Sequence, residues 1–466
     1  VSGYLEFLQR KRVVDLPTGL ATIPELSVAL FPFQWDIVAW ALRRGRAALF
    51  AGTGLGKTLM QLSWADAVER HTGRPVLILT PLAVAQQTVQ EAARFGIHGV
   101  AYARSQDDAA SRIVVTNYDR FDLFDIEAFG AIVLDESSII KAHASKTRAT
   151  LIEACRTIPF KLACTATPAP NDWVELGNHA EFLGVCSEKE MLATYFVHDG
   201  SVRAHGDSEW RLKSHATKAF WEWVASWAVM IRSPADLGYD ESRYELPPLR
   251  KHQVTVPADY VPTSTSLFPI EAHTMQERIA ARRDTVRARA EAAARIVNAQ
   301  PDRPWLVWCN LNAEADALAE LIPDAVEVRG PDAPEVKAER LLGFAAGKYR
   351  ILITKPSVAG WGMNWQHCAD MVFVGLTDSF EQVFQAIRRC WRFGQAQPVN
   401  VYMIASEIEG AVVANLDAKE RAFEQMSAAM ALEMRDLNKR ALNPTFARPE
   451  PTRFTKPMEI PAWLAA

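Results

Sequence analysis

Residues 51–58 read Ala-Gly-Thr-Gly-Leu-Gly-Lys-Thr, after an apolar run and before a helical one. Small residues let successive backbone N–H groups close round a phosphate, and the following helix turns its positive dipole end toward the same spot. Gly52, Thr53, Gly54, Leu55 and Gly56 would form that cradle, Lys57 would reach the β- and γ-phosphates, and the Thr58 hydroxyl would ligate Mg²⁺. Ala51 stands where the motif has its first glycine, while the turn glycines Gly54 and Gly56 are in place. Asp135-Glu136 ends a second apolar run, which puts two carboxylates at the carboxyl end of a buried strand, where open α/β sheets bind ligands. There Asp135 can hold Mg²⁺, and Glu136 can orient and deprotonate an attacking water.

Such side chains need rigid strand ends. Short, nearly all-apolar runs at 47–50, 76–80, 113–116, 131–134 and 162–165 are expected strands of a parallel sheet buried on both faces. Helical stretches such as 59–69 and 83–95 separate them. The rhythm returns at 305–309, 326–328, 351–354, 371–374 and 399–404, with helices over 313–321 and 380–390. Two α/β lobes follow, alike in architecture without a sequence repeat. Residues 180–300 differ: Trp210, Trp221, Trp223 and Trp227, a connection punctuated by Pro247, Pro248, Pro257 and Pro262, then an Arg-rich helix near 276–297. The tryptophans mix with Phe220, Val224, Val229 and Met230, which reads as core rather than as a base-stacking platform. The helix carries Arg278, Arg282, Arg283, Arg287, Arg289 and Arg295, but also Glu271, Glu277, Asp284 and Glu291, so it reads as a solvated helix packed on the second lobe. Pro444, Pro449, Pro451, Pro457 and Pro461 forbid a continuous helix there and imply an extended tail.

The whole composition fits this picture. The 466 residues are 49% hydrophobic and 23% charged, room for two or three domains and no disordered, collagenous or disulfide-scaffold chain. A net charge of −4 means that any polyanion must be held in a local groove. The apolar stretches fall short of a bilayer span and no leader opens the sequence, so a cytoplasmic protein without membrane contact is expected. Cys155, Cys164, Cys186, Cys309, Cys368 and Cys390 form no C-x-x-C pair or zinc spacing and read as reduced thiols.

The order of the motifs resembles the superfamily-two helicases and, within them, the Swi/Snf-type DExH-box ATPases, over residues 27 to 410. Phe33-Gln34-Trp35 and Trp40 are similar to the adenine-reading glutamine element, and Asp135-Glu136-Ser137-Ser138 with Lys141 and Ser145-Lys146 to the DExH box. Thr165-Ala166-Thr167-Pro168, with Asn171 and Glu175-Leu176, resembles the coupling motif. Thr354-Lys355 with Gly360, Gly362 and Asn364, and Gln385 through Gln395, resemble the two motifs of the second lobe. Ser137-Ser138 departs from the usual small residue and His, and Arg388 stands where Gly or Asp is common.

The resemblance implies two tandem RecA-like P-loop lobes with parallel sheets: an extension over 1–26, lobe one over 27–235 with a helical insertion near 180–230, a linker and Arg-rich helix over 236–300, lobe two over 301–430, and a Pro-rich tail over 431–466. It implies ATP with Mg²⁺ as the fuel, held by Gln34, the loop 52–58 and Gly362, with Thr58 and Asp135 on the metal. Arg389 and Arg392, three apart on a helix and so on one face, would bring positive charge from lobe two to the phosphoryl group, beside Gln385. Thr165 and Thr167 would couple the lobes, and Thr80, Pro81, Thr116, Asn117, Asn310, Thr354 and Lys355 would touch nucleic-acid phosphates. The implied activity is that of a monomeric ATPase translocating on DNA, duplex more than single-stranded. Alternatives are a strand-separating DNA or RNA helicase and an ATP-switched DNA-binding recruiter.

Overall fold

A computed structural model describes residues 17–139, 145–169, 172–198, 210–257, 283–360, 363–377 and 379–442. Gly362, Lys141, Asn171, Arg278, Arg282 and the prolines of the tail lie outside the described residues, as do the side chains of Ser145 and Lys146.

In β1 (Arg46–Ala51), side chains alternate between two faces. Ala48 and Phe50 enter one core while Ala47, Leu49 and Ala51 enter another. A strand buried on both sides must therefore be apolar at every position, which is what made it legible. β2 (Val76–Thr80), β4 (Ile113–Asn117), β5 (Ala131–Asp135) and β6 (Phe160–Thr165) are likewise buried along their length and apolar except for the polar residues at their carboxyl ends and Lys161 within β6. With β3 (Val100–Tyr102) and β9 (Ala228–Ile231) they form a parallel seven-stranded sheet of order β3-β4-β2-β5-β6-β1-β9. Helices α1 (Pro32–Arg44), α2 (Lys57–Thr72), α3 (Leu82–Arg94), α4 (Ser145–Ala154), α5 (Leu176–Leu183), α6 (Glu188–Tyr195) and α7 (Thr217–Trp227) belong to this lobe. A small antiparallel hairpin, β7 (Phe196–His198) with β8 (Trp210–Leu212), sits among them. Trp221, Trp223 and Trp227 are buried in α7, as expected of core.

The second sheet has six strands in the order β10-β15-β14-β11-β13-β12, every pair parallel. These are β10 (Leu249–Val256), β11 (Trp305–Trp308), β12 (Ala325–Glu327), β13 (Ile351–Thr354), β14 (Asp370–Phe373) and β15 (Val399–Ser406). Its helices are α8 (Val286–Asn298), α9 (Asn312–Leu321), α10 (Pro334–Ala345), α11 (Pro356–Ala359) and α12 (Phe380–Ile387). The architecture is thus two RecA-like lobes, with a long C-terminal helix, α13 (Gly410–Leu442).

Two expected boundaries move. The stretch 236–300 contains β10, which pairs with β15 over eight residues and so belongs to the second sheet. As an edge strand it leaves most side chains exposed, and an all-apolar criterion passes over it. Residues 431–442 are not extended tail but the last turns of α13. Val412, Leu416 and Phe423 pack into a core of the second lobe, whereas Met430, Met434 and Leu442 pack into cores of the first. One helix therefore straps both lobes.

Candidate active site between the lobes

The loop between β1 and α2 turns on Gly54 (φ 89°) and Gly56 (φ 78°), a left-handed backbone that glycine adopts without a steric penalty. Both positions are also crowded: a Cβ on Gly56 would meet Gln34 Nε2 at 2.3 Å, and one on Gly54 would meet the backbone N of Phe393 at 2.7 Å. The second lobe thus lies directly on the phosphate loop. Lys57 Nζ donates to the carbonyls of Ala51 (2.9 Å) and Gly52 (3.5 Å). Burial lowers its pKa, opposed by Glu136 and Asp135. Gln34 is buried and braces the loop: its Oε1 accepts from Phe31 N–H (2.9 Å) and its Nε2 donates to Leu55 O (2.8 Å).

Asp135 and Glu136 arrive at the end of β5, both buried. Gln61 on α2 donates to Asp135 Oδ1 at 2.6 Å, and Tyr118 OH donates to the Asp135 carbonyl at 2.7 Å. Burial and then the neighbouring Glu136 push the Asp135 carboxyl up to about 6. Two carboxylates in so dry a place call for a cation, which fits Mg²⁺ held by Thr58 and Asp135. No cluster of three or more His, Cys, Asp or Glu suited to a metal exists among the described residues, so phosphate oxygens and water would complete its shell.

Around a cavity of about 370 Å³, Thr53, Gly54, Gly56, Lys57, Thr58, Asp135 and Glu136 of lobe one face Arg389 and Arg392 of lobe two. Burial lowers the Arg389 pKa to about 10, and Glu136 opposes this. Both guanidinia donate to the Met363 carbonyl, at 3.3 and 3.2 Å. A hydrogen-bond chain joins the halves. Thr165 Oγ1 donates to Glu136 Oε2 (3.5 Å) and accepts from Thr167 N–H (3.1 Å). Thr167 Oγ1 accepts from Gln385 Nε2 (3.4 Å), and Gln385 Oε1 accepts from Arg389 Nη2 (3.0 Å). Ser138 Oγ also lies within hydrogen-bond distance of Thr165 Oγ1 (3.4 Å), and Ser137 Oγ meets the buried His179 Nε2 at 3.0 Å.

Sequence reasoning passed over several lining residues. Glu91, Arg94 and Phe95 lie at the end of α3, and Tyr244 stacks on Phe393 with ring centroids 4.8 Å apart. Glu91, Arg94, Phe95 and Tyr244 belong to no spaced motif, whereas Phe393 lies within the run from Gln385 to Gln395.

The expected nucleic-acid contacts divide. Pro81 and Asn117 line a second interlobe cleft of about 320 Å³, with Lys337 of α10 across from them. Thr80, Thr116 and Thr354 do not present their hydroxyls to solvent: all three are buried and donate to the carbonyls of Pro81, Ala103 and Val328. Strand-end threonines satisfy local backbone first when no water reaches them. Lys355 Nζ donates to Asn312 Oδ1 at 2.7 Å, and Asn310 gives its backbone N–H to Glu314 Oε2 at 2.7 Å.

Residues 31–175 match the DEAD/DEAH box helicase family model. No curated protein matches the chain. The matched stretch is similar to the P-loop domain of the superfamily-two helicases, and this likeness makes the protein an ATP-hydrolysing enzyme. No described helix is long and apolar enough to cross a membrane.

Proposed function

We propose that the protein is an ATP-driven nucleic-acid motor that separates strands, its stroke set by closure of the second lobe on the first. The observation that carries this is the facing of Lys57 and Glu136 by Arg389 and Arg392 across one cavity, with Thr165, Thr167 and Gln385 hydrogen-bonded between. Lys57 and the loop 52–58 hold the phosphates, and Glu136 orients and deprotonates the attacking water. Thr58 and Asp135 would hold Mg²⁺, which when bound would neutralise charge on the phosphates. Arg389 and Arg392 stabilise the charge of the transferring group, which requires the lobes to be closed. Opening after phosphate loss shifts the Pro81–Asn117 side of the second cleft against Lys337, and nucleic acid bound there is moved.

Both halves of the site come from one chain, so a single copy suffices. Match to the DEAD/DEAH box helicases favours strand separation. The Swi/Snf-like run from Gln385 to Gln395 favours a second reading, translocation along intact duplex DNA. ATPase rates measured in parallel with duplex DNA, single-stranded DNA and RNA, beside strand-displacement and triplex-displacement assays, decide between them. Strand displacement supports the first reading; duplex-stimulated triplex displacement without unwinding supports the second. Hydrolysis indifferent to all three nucleic acids overturns both.

A further inference from the structure

Behind the phosphate loop, on the far side of Thr53, Tyr244 and Phe393 from the nucleotide cavity, lies a second cavity of about 520 Å³. Three arginines border it, each from a different element: Arg232 follows β9 in lobe one, Arg388 caps the carboxyl end of α12 in lobe two, and Arg435 lies on α13. None of the three makes an ion pair among the described residues, and the buried Arg388 Nε has no hydrogen-bond partner. The Arg388 guanidinium lies 5.0 Å from the Phe384 ring and 4.2 Å from the Trp391 ring, which fixes its plane while leaving its donors unspent.

Two acids also border the cavity. Asp236 is committed, accepting from the backbone N–H groups of Arg232 (2.7 Å) and Ser233 (3.2 Å). It keeps its negative charge, and with Glu424 on α13 it offsets two of the three bordering guanidinia, while Glu424 and Glu420 both act on Arg388. Cationic excess therefore faces a space within the usual size range of small-molecule sites, beside the rings of Phe384 and Phe423. Three guanidinia on three separate elements bordering one space suit a phosphate, with three free oxygens, better than a planar carboxylate, which one Arg fork satisfies.

We propose that this rear cavity binds a small phosphate-bearing organic molecule through Arg232, Arg388 and Arg435, joining lobe one, lobe two and α13. Such a ligand resists lobe opening and so regulates the ATPase from outside the nucleotide site.

Phenyl phosphate is the probe, titrated calorimetrically into the full chain, with benzoate and inorganic phosphate in parallel. Lys57→Ala disables the nucleotide site; Arg435→Ala and Arg388→Ala each remove one guanidinium of the rear cavity, and thermal melts confirm folding. Expected are binding of phenyl phosphate to wild type and Lys57→Ala alike, tighter than either comparison ligand, and a loss of about tenfold or more in each arginine variant. No binding to wild type, loss of binding in Lys57→Ala, or equal binding in folded Arg435→Ala and Arg388→Ala would each overturn the site.

Discussion

Glu136 is the one non-glycine among the described residues with a left-handed backbone, φ 51°. That conformation is uncommon outside glycine and persists where the surroundings over-determine it, here the Ser137 N–H bond to Cys164 O at 2.8 Å and the Thr165 bond to its carboxylate. Glu136→Gln keeps the shape and removes only the base. Nucleotide binding should stay at the wild-type level while turnover falls by about 10²–10⁴-fold, read by equilibrium binding beside single-turnover hydrolysis. Wild-type hydrolysis in that variant would remove Glu136 from the chemistry. A buried lysine gives the second prediction at this scale. Lys161 on β6 is 2% exposed and donates to Phe182 O at 3.0 Å, and burial lowers its pKa to about 8 from 10.5. Between those values the unfolded chain holds a proton that the native protein has released, so native stability rises with pH across that window. The penalty is fully present below about pH 8, and at about 1.4 kcal/mol per pH unit it reaches roughly 3 kcal/mol. Denaturation at pH 7.5 and 9.5 should show the gap between Lys161→Met and wild type closing as pH rises. A gap that stays constant would mean the ammonium carries no such penalty.

At the scale of the element, the Arg-rich helix shows what patterning resolves and what it does not. Helix α8 packs on the second lobe as its charge balance implied, with Arg287 and Arg295 exposed, as is Arg283 ahead of it. Arg289 is the exception, wholly buried, ion-paired to the equally buried Glu314 of α9 and hydrogen-bonded to Thr285 Oγ1 at 3.1 Å. Glu314 also accepts from the N–H groups of Asn310 and Leu311 at the start of α9, and a Cβ on Gly375 would strike its carboxylate at 2.4 Å. Removing one charge strands the other in a dry interior. Glu314→Gln should therefore cost about 3–5 kcal/mol, and adding Arg289→Met should recover part of it, as a denaturant double-mutant cycle would measure. Additive losses would mean the pair is not coupled. Nothing in the spacing of six arginines marks Arg289 for burial, because its partner is 25 positions away and known only once α8 and α9 lie together. The buried strands and the loop 51–58 were legible for the opposite reason: their constraint is local, an apolar run or a glycine-bearing turn. Edge strand β10 and the tyrosine stacked on Phe393 owe their positions to tertiary neighbours and left no such mark.

For the whole molecule the question is what limits lobe opening. Helix α13 has 33 residues and is about 50 Å long, anchored by Val412, Leu416 and Phe423 at one end and by Met430 and Met434 at the other. Its far end is pinned further by Asn438 Nδ2, which donates to the Met230 carbonyl of β9 at 2.8 Å. Separation of the lobes must bend this helix or lift one anchor, so the strap biases the cleft toward the closed arrangement in which Arg389 and Arg392 border the phosphate loop. Met434→Asp puts a carboxylate where the side chain is now fully buried, while Gln425→Asp, on an exposed face of the same helix, serves as the control. Release of the far anchor should raise hydrogen exchange along 430–442 without raising it in β1, β5 or β6, and should widen the particle in solution scattering. A tenfold fall in the closed population lowers ATP turnover in the absence of nucleic acid by the same factor, a shift of about 1.4 kcal/mol, with nucleotide affinity little changed because the loop 52–58 belongs wholly to lobe one. Unchanged turnover in a protein whose 430–442 segment has demonstrably come loose would show that the lobes close without the strap.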